Sequence, residues 1–167
     1  MREALLDLLR ERRLEDITGA QVAAHAGVGY ATYFRHYENV RDLLIDTVMV
    51  LADELAERMM PAMLAADTST AARLLACEVA ERRTVFLALL RGAGDETRGM
   101  LARHIVARTA EWPDLSPAWL PQRLALRFAV AGTVELLDWW LCEEPDRSTE
   151  EVAMLLDRLV IGPFSHG

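Results

Sequence analysis

Residues 18–37 read TGAQVAAHAGVGYATYFRHY and carry the strongest structural signal in the chain. Thr18 and Gln21 have the spacing of a capping box, which predicts that a helix begins here. Gly27 can adopt a positive φ, so a tight corner is expected after this helix, before a second one over residues 30–37. Two short helices joined by a glycine-containing turn are typical of a helix-turn-helix, whose second helix lies in the major groove of DNA.

The flanking segments also have helical patterns. Leucines recur at helical spacing between Arg2 and Arg13, and this predicts a first helix. Apolar residues continue at helical spacing from Val40 to about Ala65, with Asn39 as the N-cap of this long helix. Pro61 lies inside the pattern and should kink or end the helix near Met60, because proline lacks an N–H and clashes with the preceding turn.

The remainder of the chain continues as helices without strand-like alternation. Further helices are predicted at about 70–81, 83–91, 95–112, 117–143 and 149–161. The sequence therefore predicts an all-α fold in which an N-terminal three-helix helix-turn-helix domain is joined by a long helix to a C-terminal helical bundle. We place the first domain at 1–46 and the second at 47–167.

Composition restricts the class of protein. The chain has 167 residues, of which 52% are apolar, and a formal net charge of −8. No segment approaches the roughly 20 continuous apolar residues of a membrane span, and no signal peptide opens the sequence, so a cytoplasmic protein without membrane contact is expected. The negative charge argues against non-specific coating of nucleic acid. Cys77 and Cys142 lie in apolar helical patterns, which predicts buried free thiols.

Catalytic motifs are missing from the sequence. It contains no glycine-rich phosphate loop, no H-E-x-x-H metal spacing and no nucleophile elbow. His104 lies near Arg103 and Arg108, but no carboxylate or nucleophile stands beside it in the sequence. We therefore expect a protein that is not an enzyme and that uses no cofactor and no metal.

Residues 26–44, AGVGYATYFRHYENVRDLL, resemble the N-terminal signature of the TetR (AcrR-like) transcriptional regulators. That signature reads A-G-V-S-x-x-T-x-Y-x-H-F, followed by a Ser-Lys-Glu element and Leu-Leu. The matching positions are Ala26, Gly27, Val28, Thr32, His36, Leu43 and Leu44. The chain departs from the signature at Gly29 in place of serine, Phe34 in place of tyrosine and Val40 in place of lysine. Each departure removes a phosphate contact that the resemblance would imply.

The resemblance implies a homodimeric regulator, expected to be a repressor that a small-molecule ligand releases from a palindromic operator in double-stranded DNA. The residues predicted to contact DNA are Thr18, Gly29, Tyr30, Ala31, Thr32, Phe34, Arg35, His36 and Arg41. Tyr30, Ala31 and Thr32 would reach base edges, while the side chains of Thr18, Phe34, Arg35, His36 and Arg41 would position the phosphate backbone. Tyr33 and Tyr37 are expected in the core.

Two features of the second half bear on a ligand and on a partner chain. Methionines and aromatic residues at helical spacing indicate either an ordinary core or a ligand pocket, and both interpretations stay open. The predicted pocket lining is Met59, Met63, Phe86, Met100 and His104. The last two helices carry more apolar surface than one short core needs, so a second copy is expected to cover part of it. The predicted dimer interface is Val130, Val134, Leu137, Trp140, Leu141, Val152, Leu155 and Leu159.

An alternative hypothesis is a helical dimeric interaction module that has kept the fold but lost specific DNA binding. Residues 1–46 contain six arginines against eight acidic residues, so even this region is not basic overall. The departures at Gly29, Phe34 and Val40 also favour this alternative, because each removes an expected phosphate contact. A salt-dependent DNA-binding measurement distinguishes the two hypotheses. A regulator would bind with a steep salt dependence and protect a palindrome, because it neutralises phosphates, whereas the interaction module would shift no DNA even at low salt.

Overall fold

The computed structural model describes residues 1–92 and 94–165, with the side chains of residues 92–98 outside that description. Within these residues the chain forms nine α-helices and no strand, which confirms the predicted all-α class. The helices are α1 (Arg2–Glu11), α2 (Gly19–His25), α3 (Tyr30–His36), α4 (Val40–Leu64), α5 (Thr68–Glu81), α6 (Arg83–Gly92), α7 (Gly94–Thr109), α8 (Gln122–Asp138) and α9 (Thr149–Leu156). Short 3₁₀ turns lie at Leu14–Asp16 and Gly162–Phe164, and π-helical turns extend α8 over Trp139–Glu143 and α9 over Asp157–Ile161.

Side chains at three helix starts supply the caps that the sequence predicts. The Thr18 hydroxyl accepts a hydrogen bond from the backbone N–H of Gln21, whose side chain accepts in return from the backbone N–H of Thr18. The Asn39 side-chain oxygen caps α4 by accepting a hydrogen bond from the backbone N–H of Asp42, without the reciprocal bond. Ser148 caps α9 as part of a second capping box. These bonds satisfy backbone donors that a helix leaves unpaired at its N-terminus, and they fix where each helix begins.

Pro61 lies inside α4 without ending it. The helix does not end near Met60 but runs on to Leu64, with the backbone N–H of Ala65 still bonded to the carbonyl of Pro61. Proline removes one backbone donor, and this position lies in the last turns of α4, where little helix remains to be disrupted. The helix is therefore long enough to touch both halves of the molecule.

The start of α8 also differs from the prediction. The helix begins at Gln122 rather than at Pro117, because Pro121 stands at its N-cap. The preceding residues form a separate turn, in which the N–H of Leu120 donates to the carbonyl of Pro117 at 2.8 Å. This irregular segment brings Trp112 and Gln122 together, since the Gln122 side chain donates to the Trp112 carbonyl at 3.1 Å.

Two hydrophobic clusters hold the helices together. The first gathers the inner faces of α1 to α3 and the first half of α4, where Leu5, Val22, Tyr33 and Leu44 are completely buried. It continues into α6 and α7, so the predicted boundary after residue 46 falls within α4 and remains a prediction. The second cluster is built by α4, α5, α8 and α9 around Trp140.

Two further observations concern the surface. Among the described helices, none combines the length and the apolar character that a bilayer crossing requires. Both cysteines are free, as predicted, but Cys77 is exposed on α5 and Cys142 is only half-buried. The prediction of buried thiols was therefore wrong for Cys77, because the apolar pattern of α5 places this position on the solvent side.

Candidate DNA interface and ligand cavity

The corner between α2 and α3 has the geometry of a helix-turn-helix. Gly27 adopts φ +66°, a conformation that side chains with a Cβ rarely take. The chain then turns so that the N–H of Val28 bonds back to the carbonyl of Ala23 at 2.9 Å. The predicted tight corner is confirmed, and it sets the direction of α3 relative to α2.

A close approach at Gly19 fixes how α3 packs on α2. A Cβ built on Gly19 would lie 2.5 Å from Cε1 of Tyr33, whose side chain is completely buried. Only glycine permits the Tyr33 ring to lie this close to the first turn of α2. The sequence offered no sign of this contact, because the two residues belong to different helices.

The far end of α3 is tied to α1 and α4 by a polar network. The Tyr37 hydroxyl donates to Asp46 at 2.6 Å, and the Arg2 guanidinium donates to both oxygens of the same carboxylate at 2.7 and 3.1 Å. The hydrogen bond from Arg2 is the main reason why the pKa of Asp46 is lowered. Three helices therefore meet at one carboxylate, which holds the orientation of α3.

Tyr33 in α3 and Tyr37 at its C-cap predict opposite effects of losing a hydroxyl. The Tyr33 hydroxyl is buried without a hydrogen-bond partner among the described residues, and burial raises its pKa. Tyr33→Phe removes this unsatisfied group and should raise the free energy of unfolding by about 1 kcal/mol, whereas Tyr37→Phe should lower it by about 1 kcal/mol. Urea unfolding of both variants measures the two signs. A Tyr33→Phe protein as destabilised as Tyr37→Phe would contradict the packing described here.

The outer face of α3 presents the residues predicted to contact DNA. The exposed side chains are Tyr30, Ala31, Phe34, Arg35 and His36, while Thr32 is half-buried. The rings of Tyr30 and Phe34 meet edge to face with their centroids 4.5 Å apart. This face therefore combines an aromatic pair with a cation and an imidazole.

Positive charge beside α3 comes from Arg35 and Arg41. Both are exposed, and neither forms an ion pair with any residue in the described part of the chain. Three of the other four arginines in residues 1–46 form ion pairs: Arg2 with Asp46, Arg10 with Asp7, and Arg13 with Glu15. Arg35 on α3 and Arg41 at the start of α4 are therefore unpaired guanidinium groups, and Arg12 after α1 is unpaired as well among the described residues.

Two of the predicted DNA-contact positions, Thr18 and Gly29, have limited capacity for hydrogen bonding. The Thr18 hydroxyl lies 3.1 Å from the Gln21 side-chain oxygen, to which it donates, so a phosphate would have to compete for this proton. Gly29 stands at the N-cap of α3 and has no side chain to form a hydrogen bond. Its surroundings are open, since a Cβ built on Gly29 would meet only the Thr32 hydroxyl, at 3.9 Å, among the described residues.

A cavity of about 260 Å³ lies among α4, α6, α7 and α8. Along α4 its lining runs from Val48 to Met63, a distance of roughly 22 Å at about 1.5 Å per residue. The described lining contains no charged side chain. Several of its polar groups are already bonded to backbone carbonyls, as Thr109 is to Ile105. The cavity is therefore elongated and apolar.

Three of the five residues predicted to line a pocket do so, namely Met59, Met63 and Phe86. Met100 is 40% exposed and lies outside the lining. His104 also lies outside it, because its Nε2 faces Asp53 of α4 at 3.0 Å. The Asp53 carboxylate is the partner that the sequence around His104 did not reveal.

The predicted dimer interface needs correction. Leu137, Trp140, Leu141 and Val152 are buried in the second hydrophobic cluster, where they pack between α5, α8 and α9 and cannot face a second copy. Val130 is buried as well and lies in the lining of the cavity. Val134 and Leu155 are half-buried against the same cluster, and of the predicted residues only Leu159 is largely exposed.

Apolar side chains on α8 and after α9 are open to solvent, and of these only Leu159 belongs to the predicted interface. Leu124 and Phe128, one helical turn apart on α8, are 43% and 59% exposed, and Leu159 is 63% exposed. Phe128 also contacts Phe164, with the ring centroids 6.2 Å apart. Exposed apolar patches of this kind on soluble proteins mark contact surfaces. The helices were thus predicted correctly as apolar, but the faces were assigned wrongly.

The fold is similar to those of solved transcriptional regulators. A protein from Syntrophomonas wolfei assigned to the TetR family of transcriptional regulators matches with a TM-score of 0.72 at 16% identity, over 93% of this chain and 88% of that chain. The Thermus thermophilus FadR, a TetR-family repressor solved with lauroyl-CoA, matches with a TM-score of 0.69 at 18% identity, over 98% of this chain and 94% of that chain. The Bacillus subtilis FadR, solved with stearoyl-CoA, matches with a TM-score of 0.65 at 17% identity, over 98% of this chain and 97% of that chain. No family model and no curated protein matches the sequence. The chain therefore has a TetR-like fold.

Proposed function

We propose that this chain is a dimeric DNA-binding transcriptional regulator, a repressor that an apolar small molecule releases from its operator. The observation that carries the proposal is the outer face of α3. In a TetR-like fold this face belongs to a helix-turn-helix, and here it bears exposed side chains flanked by the two unpaired cations Arg35 and Arg41.

The acidic composition of the N-terminal region is compatible with this proposal. The carboxylates of Asp7, Glu15 and Asp46 are each held by an arginine, so their charge is partly compensated within the domain. Phosphate contact depends on local cations rather than on net charge, because each neutralised phosphate releases its own counterions.

DNA binding by the full chain tests the proposal. Arg35→Ala should weaken binding to every duplex alike and reduce the salt slope by about one, because the guanidinium neutralises a phosphate. Thr32→Ala should relax the base preference at one position, because a hydroxyl can donate to or accept from a base edge. Titrations of labelled duplexes, selected by the protein from a random pool, measure both effects over a series of salt concentrations.

Arg73→Ala is the matched control, because Arg73 is an exposed arginine on α5, away from α3. It should bind DNA like the unchanged protein. A full chain that shifts no duplex at low salt would instead support the alternative, a helical interaction module without specific DNA binding.

The cavity supports a ligand with an extended aliphatic part. It is elongated and apolar, and the FadR proteins of the same fold were solved with lauroyl-CoA and stearoyl-CoA. A flexible hydrocarbon chain gains about 0.8 kcal/mol for each methylene group that it buries. We therefore propose an acyl chain, or an aliphatic chain of similar length, as the effector.

Helix α4 provides a physical connection between the cavity and α3. Its residues from Val48 onward line the cavity, while its first turns pack in the core that contains Tyr33. A ligand that favours one position of α4 over another would shift the population toward a dimer whose two α3 helices no longer match successive major grooves. A ligand with equal affinity for both positions would change nothing.

Lauroyl-CoA is the first probe for this step. Its addition should lower the affinity for the selected duplex, and Ala129→Phe, which fills the lining from α8, should abolish the response. Ala107→Phe makes the same change at an exposed position of α7 outside the lining. If lauroyl-CoA raises the melting temperature of Ala129→Phe as much as that of Ala107→Phe, then it does not bind in this cavity.

The dimer is assigned to the exposed patch formed by Leu124, Phe128 and Leu159. Phe128→Glu should produce monomers, because a carboxylate cannot be buried in an apolar contact without a partner. Sedimentation velocity of the two proteins at equal concentration measures this change. A Phe128→Glu protein that remains dimeric would place the contact elsewhere.

A further inference from the structure

We infer that α3 recognises thymine through its 5-methyl group, using the aromatic pair Tyr30 and Phe34. This inference rests on the proposed DNA binding and adds a base and a chemical mode of recognition to it. The two residues lie four apart and share one face of the helix, where their side chains are 54% and 47% exposed. Large apolar side chains in a solvent-facing pair are unusual unless a partner covers them.

The pair is held in a defined position. The Tyr30 and Phe34 rings meet edge to face at 4.5 Å, and the Phe34 ring also meets Tyr33 edge to face at 5.6 Å. Tyr33 is itself completely buried against Gly19. A rigid aromatic surface loses little conformational freedom on binding, which favours its use in specific contacts.

The chemistry of the major groove selects the base that this surface can contact. Every base edge there presents hydrogen-bond donors or acceptors, and the thymine methyl group is the apolar exception. Placing an aromatic ring against a polar edge would remove water without replacing its hydrogen bonds, which is unfavourable. Placing the same ring against a methyl group buries apolar surface on both sides.

The neighbouring residues are consistent with this docking. Ala31 is small and exposed beside the pair, so α3 can approach the base edges closely. Phe34 has no hydroxyl with which to bind a phosphate, and the unpaired cations Arg35 and Arg41 are available for the backbone. The role expected for Phe34 from the sequence, backbone positioning, is thereby replaced by base contact.

Deoxyuridine substitution tests this inference directly. Duplexes selected by the full chain are remade with deoxyuridine in place of one thymine at a time, which removes one methyl group and leaves every hydrogen-bonding group in place. The affinity is expected to fall roughly fourfold at one or two positions of each half-site. Phe34→Ala should lose the difference between thymine and deoxyuridine at the position that Phe34 contacts, while its salt slope stays unchanged, and Phe34→Leu should retain part of that difference. The double variant Tyr30→Ala, Phe34→Ala should lose the difference at every position.

The possible outcomes separate this inference from the proposed function. A protein that binds selected duplexes but tolerates deoxyuridine at every position would overturn the inference and leave the regulator intact. A protein carrying both Tyr30→Ala and Phe34→Ala that still distinguishes the two bases would assign the methyl contact to another residue and overturn it as well. A protein that selects no duplex would overturn both.

Discussion

Replacing Arg58 and Arg82 together by alanine is expected to lower the free energy of unfolding by about 3–5 kcal/mol. Both guanidinium groups bind the carboxylate of Glu78, which is only 3% exposed between α4 and α5. The double replacement leaves this buried carboxylate without a positive partner. Removing the partners of a buried charge is far more destabilising than removing a pair as a whole, because the desolvation of the remaining charge is no longer offset.

A third replacement distinguishes this explanation from simple loss of contacts. Glu78→Leu, added to the double variant, removes the uncompensated charge and should recover most of the lost stability. Arg58→Ala by itself should cost much less, because Arg82 still contacts the carboxylate. Urea unfolding of the four proteins provides the comparison. If the triple variant is no more stable than the double variant, the destabilisation has another origin.

Replacing Gly19 by alanine is expected to lower the free energy of unfolding by about 1–3 kcal/mol and to weaken DNA binding more strongly still. The new methyl group would overlap the Tyr33 ring, which cannot move outward because it is enclosed by the first hydrophobic cluster. Relief of this overlap requires α3 to shift on α2. Since α3 bears the proposed base contacts, a small tilt displaces Tyr30 and Phe34 together.

The sign of the Gly19 effect makes the test informative. In a helix without such an overlap, alanine is more favourable than glycine by about 0.5–1 kcal/mol. Gly99→Ala on α7 is the matched control, because among the described side chains a Cβ there meets only the flexible end of Arg103 at 3.3 Å. Urea unfolding should show that Gly99→Ala is stabilising and Gly19→Ala destabilising. In a Tyr33→Leu background, the cost of Gly19→Ala should shrink, since the side chain responsible has been shortened.

The parts of the fold that could be predicted from the sequence depend on chemistry within one helical turn. The capping boxes at Thr18 and Ser148 and the positive φ of Gly27 are local requirements, so short stretches of sequence reveal them. Pro61 shows the limit of such rules. Its effect on backbone hydrogen bonding is local, but whether it ends α4 depends on how much helix follows and on the packing around it.

The parts that could not be predicted depend on pairs of residues far apart in the chain. His104 meets Asp53 across 51 positions, and Gly19 meets Tyr33 across two helices. Periodicity correctly marks α8 and α9 as apolar, but it does not state whether a neighbouring helix or a second copy covers a given face. For this reason Trp140 was assigned to the dimer and lies in the core, while Phe128 was overlooked and lies outside.

The exposed thiol of Cys77 has a practical consequence for measuring self-association. Exposed thiols oxidise to disulfides between molecules, and two chains joined at α5 would sediment as a pair whether or not α8 is involved. Such a covalent pair would survive denaturant and disappear on addition of a reducing agent. The non-covalent contact through Phe128 would dissociate in denaturant and withstand the reducing agent. Cys77→Ser therefore belongs in the background of every association experiment on this protein.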